Sequence, residues 1–494
     1  VKRDWETITH GLKTPKTPTC ILFNEKREFR KFGYDAVMKY KSLPCSKAHK
    51  WYFFQNFKMN LYDVCLKTWN KPECRLEASN GKTLPALTVF SKSLCYMKEH
   101  ALSTIQNASF QTVYDHKEVT WVITVPAIWS AAAGLISDMF SEKLIIALEP
   151  EAASLWCKQL PQEGFMVDSS DNKKFEDSPG IQYIVVDCGG GTTDITVHEI
   201  QENHYLKELH KASGGGWGGN TVDENFSAFP KEIFSDVAEC KKDISHFFKK
   251  VKGAVWQDGT IMITYEKMKS FFAYSTKKII DTLKEILHKP EMAKVQYVLL
   301  VGGFASSVIL RDEICEAFSK KYHILCPIET QAAIAKGAVL FGVNPQTVAS
   351  RVSARTYGIA ATQKFDPAIH DLRKWRVSKS GDYVYCDDLF KKLVGIEESV
   401  NINEVAHFTF HPTEPDQTSV CFSFYCTEKQ DAQYVDEEGL ELLGSCRVPM
   451  PDTKLGKKRQ LKLEIKFGLT EFKATGTDIT SNQSQTVMID FLAV

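Results

Sequence analysis

The densest chemical signal in the chain is the octad Asp187-Cys188-Gly189-Gly190-Gly191-Thr192-Thr193-Asp194. Three consecutive glycines strip every Cβ from a turn, so backbone N–H groups can close on an anion such as a phosphate. Thr192 and Thr193 add hydroxyl donors. Asp187 and Asp194 bracket the turn, and two carboxylates beside a phosphate nest suit a magnesium ion held largely through water. The octad alone also fits a glycine hairpin flanked by solvated acids. Two more glycine clusters follow. Gly302-Gly303 closes the apolar run VQYVLLV, where a nucleotide can approach a strand end, although a tight strand–helix turn has the same signature. Gly214-Gly-Gly-Trp-Gly-Gly219, with Asp223 behind it, implies either close backbone approach or a flexible loop. Cys188 sits inside the first turn, where a ring of N–H groups would lower its pKa and make it oxidisable; a small residue that simply fits is the plainer account.

These residues need elements to carry them. VTWVITVP (119–126) and KLIIAL (143–148) read as buried strands. Glu149-Pro150 then opens an Ala-rich helix, with proline where a first helical turn tolerates it. Residues 160–181 are polar, with Pro, Gly, Ser and Asp, and read as a mobile loop. QYIVVD and DITVHEI form strands on either side of the glycine turn, the second alternating apolar and polar residues. An amphipathic helix is expected over 266–288, a fully buried strand over 295–301, and helices near 308–320 and 330–342. Beyond Asn344-Pro345 helical periodicity fades. Short alternating runs (HFTFHP, SVCFSFYC, QLKLEIKFG, EFKATGTDI, QTVMIDFL) separated by turn clusters predict a separate all-β sandwich.

Composition narrows the class. The chain has 494 residues, 43% of them hydrophobic, with 61 basic and 61 acidic side chains. Zero net charge excludes a global basic field for nucleic acid or membrane surfaces. No apolar run is long enough for a transmembrane helix, and the start, Val1 to Glu6, has no signal-peptide core. The 14 cysteines form no CxxC pair and no Cys/His cluster with zinc spacing, which suggests reduced, mostly buried thiols in a cytoplasmic protein.

Taken in order, several blocks resemble the 70 kDa heat-shock chaperones, most closely their divergent protein 12 subfamily. They are KTPKTPT (13–19), FKM (57–59), WVITVPAIW (121–129), LIIALEPEAAS (144–154), VVDCGGGTTD (185–194), LVGGFA (300–305) and KGAVLFG (336–342). The likeness runs to Phe491-Leu492. It implies an α/β fold: a two-lobed actin-like (ribonuclease H-like) ATPase domain over 1–344, followed by a β-sandwich over 346–494 without a helical lid. Lobe I would span about 1–160, lobe II about 181–325, and a closing helix 330–342.

The resemblance also assigns roles. Asp187, Gly189, Gly190, Gly191, Thr192 and Thr193 match the second phosphate loop. Asp187 and Asp194 match the acids that organise Mg through water. Glu149 matches a glutamate near the metal and the attacking water, and Lys58 the lysine facing the γ-phosphate. Gly218 and Gly219 match a glycine pair of lobe II, and Gly302 and Gly303 the adenosine motif. The implied cofactors are ATP and Mg, and the implied chemistry is phosphoryl transfer to water through positioned charge. The β region, with Leu442-Leu443-Gly444 at the family's LLG strand, implies a client or partner polypeptide, held in a groove or by strand addition. A β domain packed on lobe II with no peptide role is the other reading of that region.

The departures from the family are as informative. Nothing in residues 1–20 matches the family's opening strand and Asp-x-Gly-Thr-Thr loop. The segments 130–142 and 226–268 are shorter than the family's, and the second lacks the Lys-Arg pair that meets adenosine; Lys249-Lys250 reads as a solvated helix face. Ser306 stands where ordinary members have an adenine-stacking arginine. Each absent contact is worth roughly one to three kcal/mol, enough together to take a micromolar site to the millimolar range. A nucleotide-independent scaffold, a pseudo-ATPase or an incomplete chain is therefore the alternative to an atypical Mg·ATP-binding chaperone. A sugar or acetate kinase on the same fold would leave the β region without a role.

Overall fold

The buried runs read from the sequence form strands within a residue or two of the expected limits. Trp121–Val125, Leu144–Leu148, Gln182–Cys188, Thr193–Ile200 and Val295–Val301 are extended. The helices span Glu149–Lys158, Tyr265–Leu287, Val308–Phe318 and Thr330–Val343. The computed structural model describes every residue except 1–4, 7–12, 15, 61–73, 109–117, 129–143, 167–173, 235–252, 258–259, 380, 382, 469–470 and 491–494. Trp129, the 130–142 segment, Lys249-Lys250, Phe491-Leu492 and part of the 226–268 segment thus lie outside the described residues. No helix among the described residues is long and apolar enough to cross a membrane.

The chain divides into two compact units, Val1–Ile123 with Leu135–Ile145, and Thr124–Gly134 with Ile146–Val494. The first holds an antiparallel sheet in the order Phe29–Phe32, Cys20–Phe23, Tyr52–Gln55. Its central strand is wholly buried, and Phe23 meets Phe54 edge-to-face with ring centroids 6.0 Å apart. The helices Gly33–Lys41 and Ala86–Ala108 belong to the same unit.

The second unit is built on an eight-stranded mixed sheet. Its order is Phe165–Met166, His323–Pro327, Val295–Val301, Gln182–Cys188, Thr193–Ile200, Leu206–Gly215, Val348–Val352, Ser399–Asn401. One face carries Ile184, Val186, Ile195 and Val197 into a core shared with Phe271, Ile279 and Leu283 of the long helix and Ile314 of the next. The other face meets the helix Glu149–Lys158, where Tyr183 donates to Ser154 Oγ at 3.2 Å. That helix packs closely on Thr330–Val343: a methyl on Gly337 would lie 1.5 Å from the Ala152 carbonyl oxygen. Covering both faces also accounts for a departure from the expected pattern. The alternation in Thr193–Ile200 suggests one wet face, yet Asp194, Thr196 and His198 are buried beneath the helix side. The expected loop at 160–181 likewise contains an edge strand, Phe165–Met166, paired with Pro327 and Cys326, and a buried Phe175.

Residues beyond Asn344-Pro345 contribute the last two strands of this sheet and then two antiparallel sheets of their own. Five strands run in the order Trp375–Val377, Val384–Val394, Thr356–Lys364, Ser419–Thr427, Glu441–Pro449. Four run in the order Val405–Phe410, Leu461–Phe467, Glu471–Asp478, Ser484–Asp490. Tyr357, Ile359, Phe422 and Phe424 from the first sheet share one core with Leu463, Ile465, Phe472 and Ala474 from the second. Arg459 is fully buried and satisfied by carbonyls, donating to Gln417 at 2.7 Å, Gly456 at 2.9 Å and Pro415 at 3.0 Å.

Candidate functional site

Asp187 and Asp194 are direct cross-strand partners at the end of the hairpin, which puts both side chains on one face of the sheet. That face is the one covered by the helix that Glu149 heads. Both acids are almost completely buried. Asp194 Oδ1 accepts the Ile128 amide at 3.0 Å, so this carboxylate also fixes the end of the Trp121–Val125 segment. Between the acids, Gly189 N–H donates to the Thr192 carbonyl at 2.8 Å and closes the turn. Thr192 and Thr193 are buried, and Thr193 Oγ1 reaches the Trp217 carbonyl at 3.4 Å.

The glycine clusters, distant in sequence, meet here. Gly219 N–H donates to the Gly189 carbonyl at 3.1 Å, and Asn220 N–H to the Gly190 carbonyl at 2.8 Å. These contacts set the start of the helix Gly219–Phe234 against the turn. A methyl on Gly218 would sit 2.4 Å from the Gly190 carbonyl oxygen. Gly302, at φ +86°, passes so close to the hairpin that a methyl would lie 2.4 Å from Asp187 Oδ1 and from the Cys188 carbonyl oxygen. Only glycine meets both demands at that point. Gly303 caps the short turn Phe304–Ser306, and Phe304 packs beside Gly219. Gly189, Gly190, Gly191, Gly218, Gly219, Gly302 and the two acids therefore form one seam. Lys58 belongs to the first unit, half-buried in the single 3-10 turn Phe57–Met59 after Tyr52–Gln55. Glu149 is half-buried at the first turn of its helix.

The donor set suits a hydrated cation. Among the described residues no three His, Cys, Asp or Glu side chains are grouped to hold a metal directly. Two buried carboxylates at the mouth of a backbone nest match the preference of Mg for a few carboxylates plus water and phosphate. Cys188 follows the plainer of its two readings, a small residue that fits, and not that of a reactive thiol. It is fully buried on the core side, and burial, followed by the charge of Asp187, pushes its pKa well up.

Sequence reasoning misses a second buried polar group on the same face. Arg351, without exposure, forms a two-pronged ion pair with Glu151 of the Glu149 helix. Glu208, also buried, accepts the Val352 amide at 2.9 Å. Burial lifts the Glu208 carboxyl to about 7, against the pull of Arg351. His198, against Thr196 Oγ1 at 2.9 Å, is lowered to about 4 by burial. No local signal marks this group, because Glu151 and Arg351 are 200 residues apart. Farther along, Leu389, Phe390, Thr409, Phe410 and His411 line a cleft of about 710 Å³ in the C-terminal sheets.

No family model matches the chain. Two curated relatives align along nearly all of it. Heat shock 70 kDa protein 12B of Homo sapiens is 30% identical over 612 residues, covering 99% of this chain and 87% of that protein. Heat shock 70 kDa protein 12A of Mus musculus is 30% identical over 598 residues, covering 100% and 88%. A chaperone protein HscA homolog of Rickettsia peacockii (strain Rustic) is 24% identical over 286 residues, 56% of this chain and 43% of that protein.

Proposed function

The chain belongs to the 70 kDa heat-shock family, in its protein 12 branch, and from that premise we propose that it is an atypical member that binds Mg·ATP at the glycine seam and couples it to a client-binding C-terminal region. In this reading residues 1–344 form a two-lobed actin-like domain and 346–494 a β-sandwich. The observation that carries it is the meeting of three separated glycine segments on two buried acids. A scaffold with no ligand has no evident need for glycine both at Gly302, against Asp187, and at Gly218, against the turn of Gly190 and Gly191. The amides of Gly189, Gly190 and Gly191 would cradle phosphate oxygens, Asp187 and Asp194 would orient the waters of the metal, and Gly302-Gly303 would border the nucleoside. Bound Mg·ATP supplies the phosphoryl group and the metal charge. Glu149 would hold the attacking water and Lys58 would face the terminal phosphate.

The partner is an extended polypeptide. The cleft is lined both by apolar side chains, Leu389, Phe390 and Phe410 among them, and by Lys391, His411 and Lys457, a mixed surface suited to a backbone with apolar side chains. Cys20, Cys74, Cys157 and Cys188 are buried, unbridged thiols, which supports a reducing, cytoplasmic setting. A second reading, a nucleotide-independent scaffold, is favoured by one observation: Asp194 Oδ1 already serves the Ile128 amide.

Calorimetry with Mg·ATP separates the two readings. Binding that disappears in Asp187→Ala supports the nucleotide reading. No heat at millimolar Mg·ATP, with client peptide still bound, overturns it in favour of the scaffold.

A further inference from the structure

The turn that follows the strand Val295–Val301 has its polar groups committed inside the protein. Gly303, Phe304, Ala305 and Ser306 carry four consecutive carbonyls, and each accepts a bond from this chain. Gly303 takes the Ser306 hydroxyl at 2.7 Å, Phe304 takes the Ser307 amide at 3.0 Å, and Ser306 takes Arg311 Nη1 at 2.8 Å. Ala305 takes the Cys326 thiol, with Sγ at 3.7 Å. The helix Gly219–Phe234, which starts against this turn, is tied back in the same way. Thr221 Oγ1 donates to the Gly216 carbonyl at 3.4 Å, and Asn225 Nδ2 to the Phe271 carbonyl at 2.9 Å. Between turn and helix lies an aromatic ring. Phe304 is buried and stacks on Phe272, with centroids 5.9 Å and planes 21° apart. Its Cδ2 lies 3.5 Å from where a methyl on Gly219 would stand.

We propose that the seam holds the triphosphate and leaves the base unread, so that its ligand class is the Mg nucleoside triphosphates in general and not Mg·ATP alone. This rests on the nucleotide reading given above, in which Gly302-Gly303 borders the nucleoside. The two ends of the seam differ in what they offer. The phosphate end has backbone cleared of Cβ atoms and two buried acids. The turn at the other end offers a buried ring and polar groups already bonded to one another. Adenine and guanine differ in the donors and acceptors on their edges, so telling them apart takes hydrogen-bonding groups aimed at those edges. An apolar wall selects weakly, because every base has a π face. Ser306 is exposed, but its short side chain is turned back onto Gly303, and it provides neither a stacking surface nor a bond to a base edge. Phe304 and Ser306 are the specificity-determining residues in this account.

Calorimetric titration of the full chain with Mg·ATP, Mg·GTP, Mg·CTP and Mg·UTP tests it. One hydrogen bond to a base edge, made or missed, changes affinity by about tenfold. The four dissociation constants are expected to lie within about fivefold of one another, and a larger preference for any one base overturns the proposal. The variant Ser306→Arg checks that the base meets this turn. The position is exposed, so the fold is kept, and the guanidinium supplies a stacking surface that favours the larger purines. It is expected to tighten Mg·ATP and Mg·GTP by at least about threefold relative to Mg·CTP and Mg·UTP. Four affinities unchanged from wild type place the base elsewhere and overturn the proposal. The failure of the underlying reading looks different: no heat from any of the four at millimolar concentration refutes nucleotide binding itself, and this proposal with it, whereas tight binding with a clear base preference refutes the proposal alone.

Discussion

Gly218 is the position where the seam can be opened with one methyl group. A Cβ there would stand 2.4 Å from the Gly190 carbonyl oxygen and 2.7 Å from the Gly191 carbonyl carbon. Both neighbours are backbone, with no side chain to swing aside, so the turn and the helix start must separate by about 1 Å to restore ordinary contact. Overpacking of this kind costs about 1–3 kcal/mol. At about 2–4 °C per kcal/mol for a domain of a few hundred residues, Gly218→Ala should melt roughly 2–12 °C lower. The same displacement breaks the alignment of the Gly189–Gly191 amides. Losing one charge-assisted hydrogen bond of about 1.5–3 kcal/mol weakens Mg·ATP by roughly ten- to a hundredfold. The neighbouring Gly216 supplies the control, because a methyl there meets nothing within 4 Å. Gly216→Ala should be neutral or stabilising by up to about 1 kcal/mol, through the unfolded chain. Scanning calorimetry and Mg·ATP titration of both variants form the assay. If Gly218→Ala melts and binds like Gly216→Ala, the close-approach argument for the seam is wrong.

Three further outcomes follow from the buried groups. Glu208, raised to about 7, is protonated in the folded chain while the unfolded chain has lost the proton, so its contribution is full below about pH 4.5 and fades as pH rises through 7. Relative to Glu208→Gln, wild type should therefore lose on the order of 2–3 kcal/mol between pH 5 and 7.5 in denaturant titrations, and a flat difference refutes the assignment. His198 and His210, both lowered to about 4, act in the opposite sense between pH 4 and 6.5, and they cancel in that comparison. Cys188 should resist iodoacetamide under native conditions while Cys45, Cys95 and Cys421 are labelled, as read by peptide mass spectrometry; labelling of Cys188 at their rate would reinstate a reactive thiol. Gly337→Ala, which drives a methyl into the Ala152 carbonyl, should lower the melting temperature more than Gly218→Ala does.

The glycine seam was legible because each cluster announces missing Cβ atoms, which let another backbone or a ligand come close, although a member such as Gly216 meets nothing. The strands around it were legible for a similar local reason: Gln182–Cys188 and Val295–Val301 are apolar runs of strand length ending at glycine. Burial on both faces of Thr193–Ile200 was not, since alternation records side-chain polarity and not what packs above it. The Arg351–Glu151 pair was hidden more completely. Nothing in RVSAR or in EPEAA distinguishes a paired buried charge from a solvated one, and only the return of the chain after Asn344 brings them together. For Cys188 the plainer reading holds, because burial outweighs the nearby N–H groups on which the reactive reading relied.

The sheet order has a consequence for how the protein is made. Leu206–Gly215 gains its outer neighbour only when Val348–Val352 has emerged, and the last strand, Ser399–Asn401, comes later still. At about 5–20 residues per second, the interval from Gly215 to Asn401 takes roughly 10–40 s on the ribosome. For that time the nascent chain carries an unpaired strand edge, and until Arg351 emerges the carboxylates of Glu151 and Glu208 lack their cation. A relative of the chaperones is thus, during its own synthesis, the kind of client that a chaperone protects, and arresting translation near residue 340 should yield an aggregation-prone chain that release past residue 410 rescues.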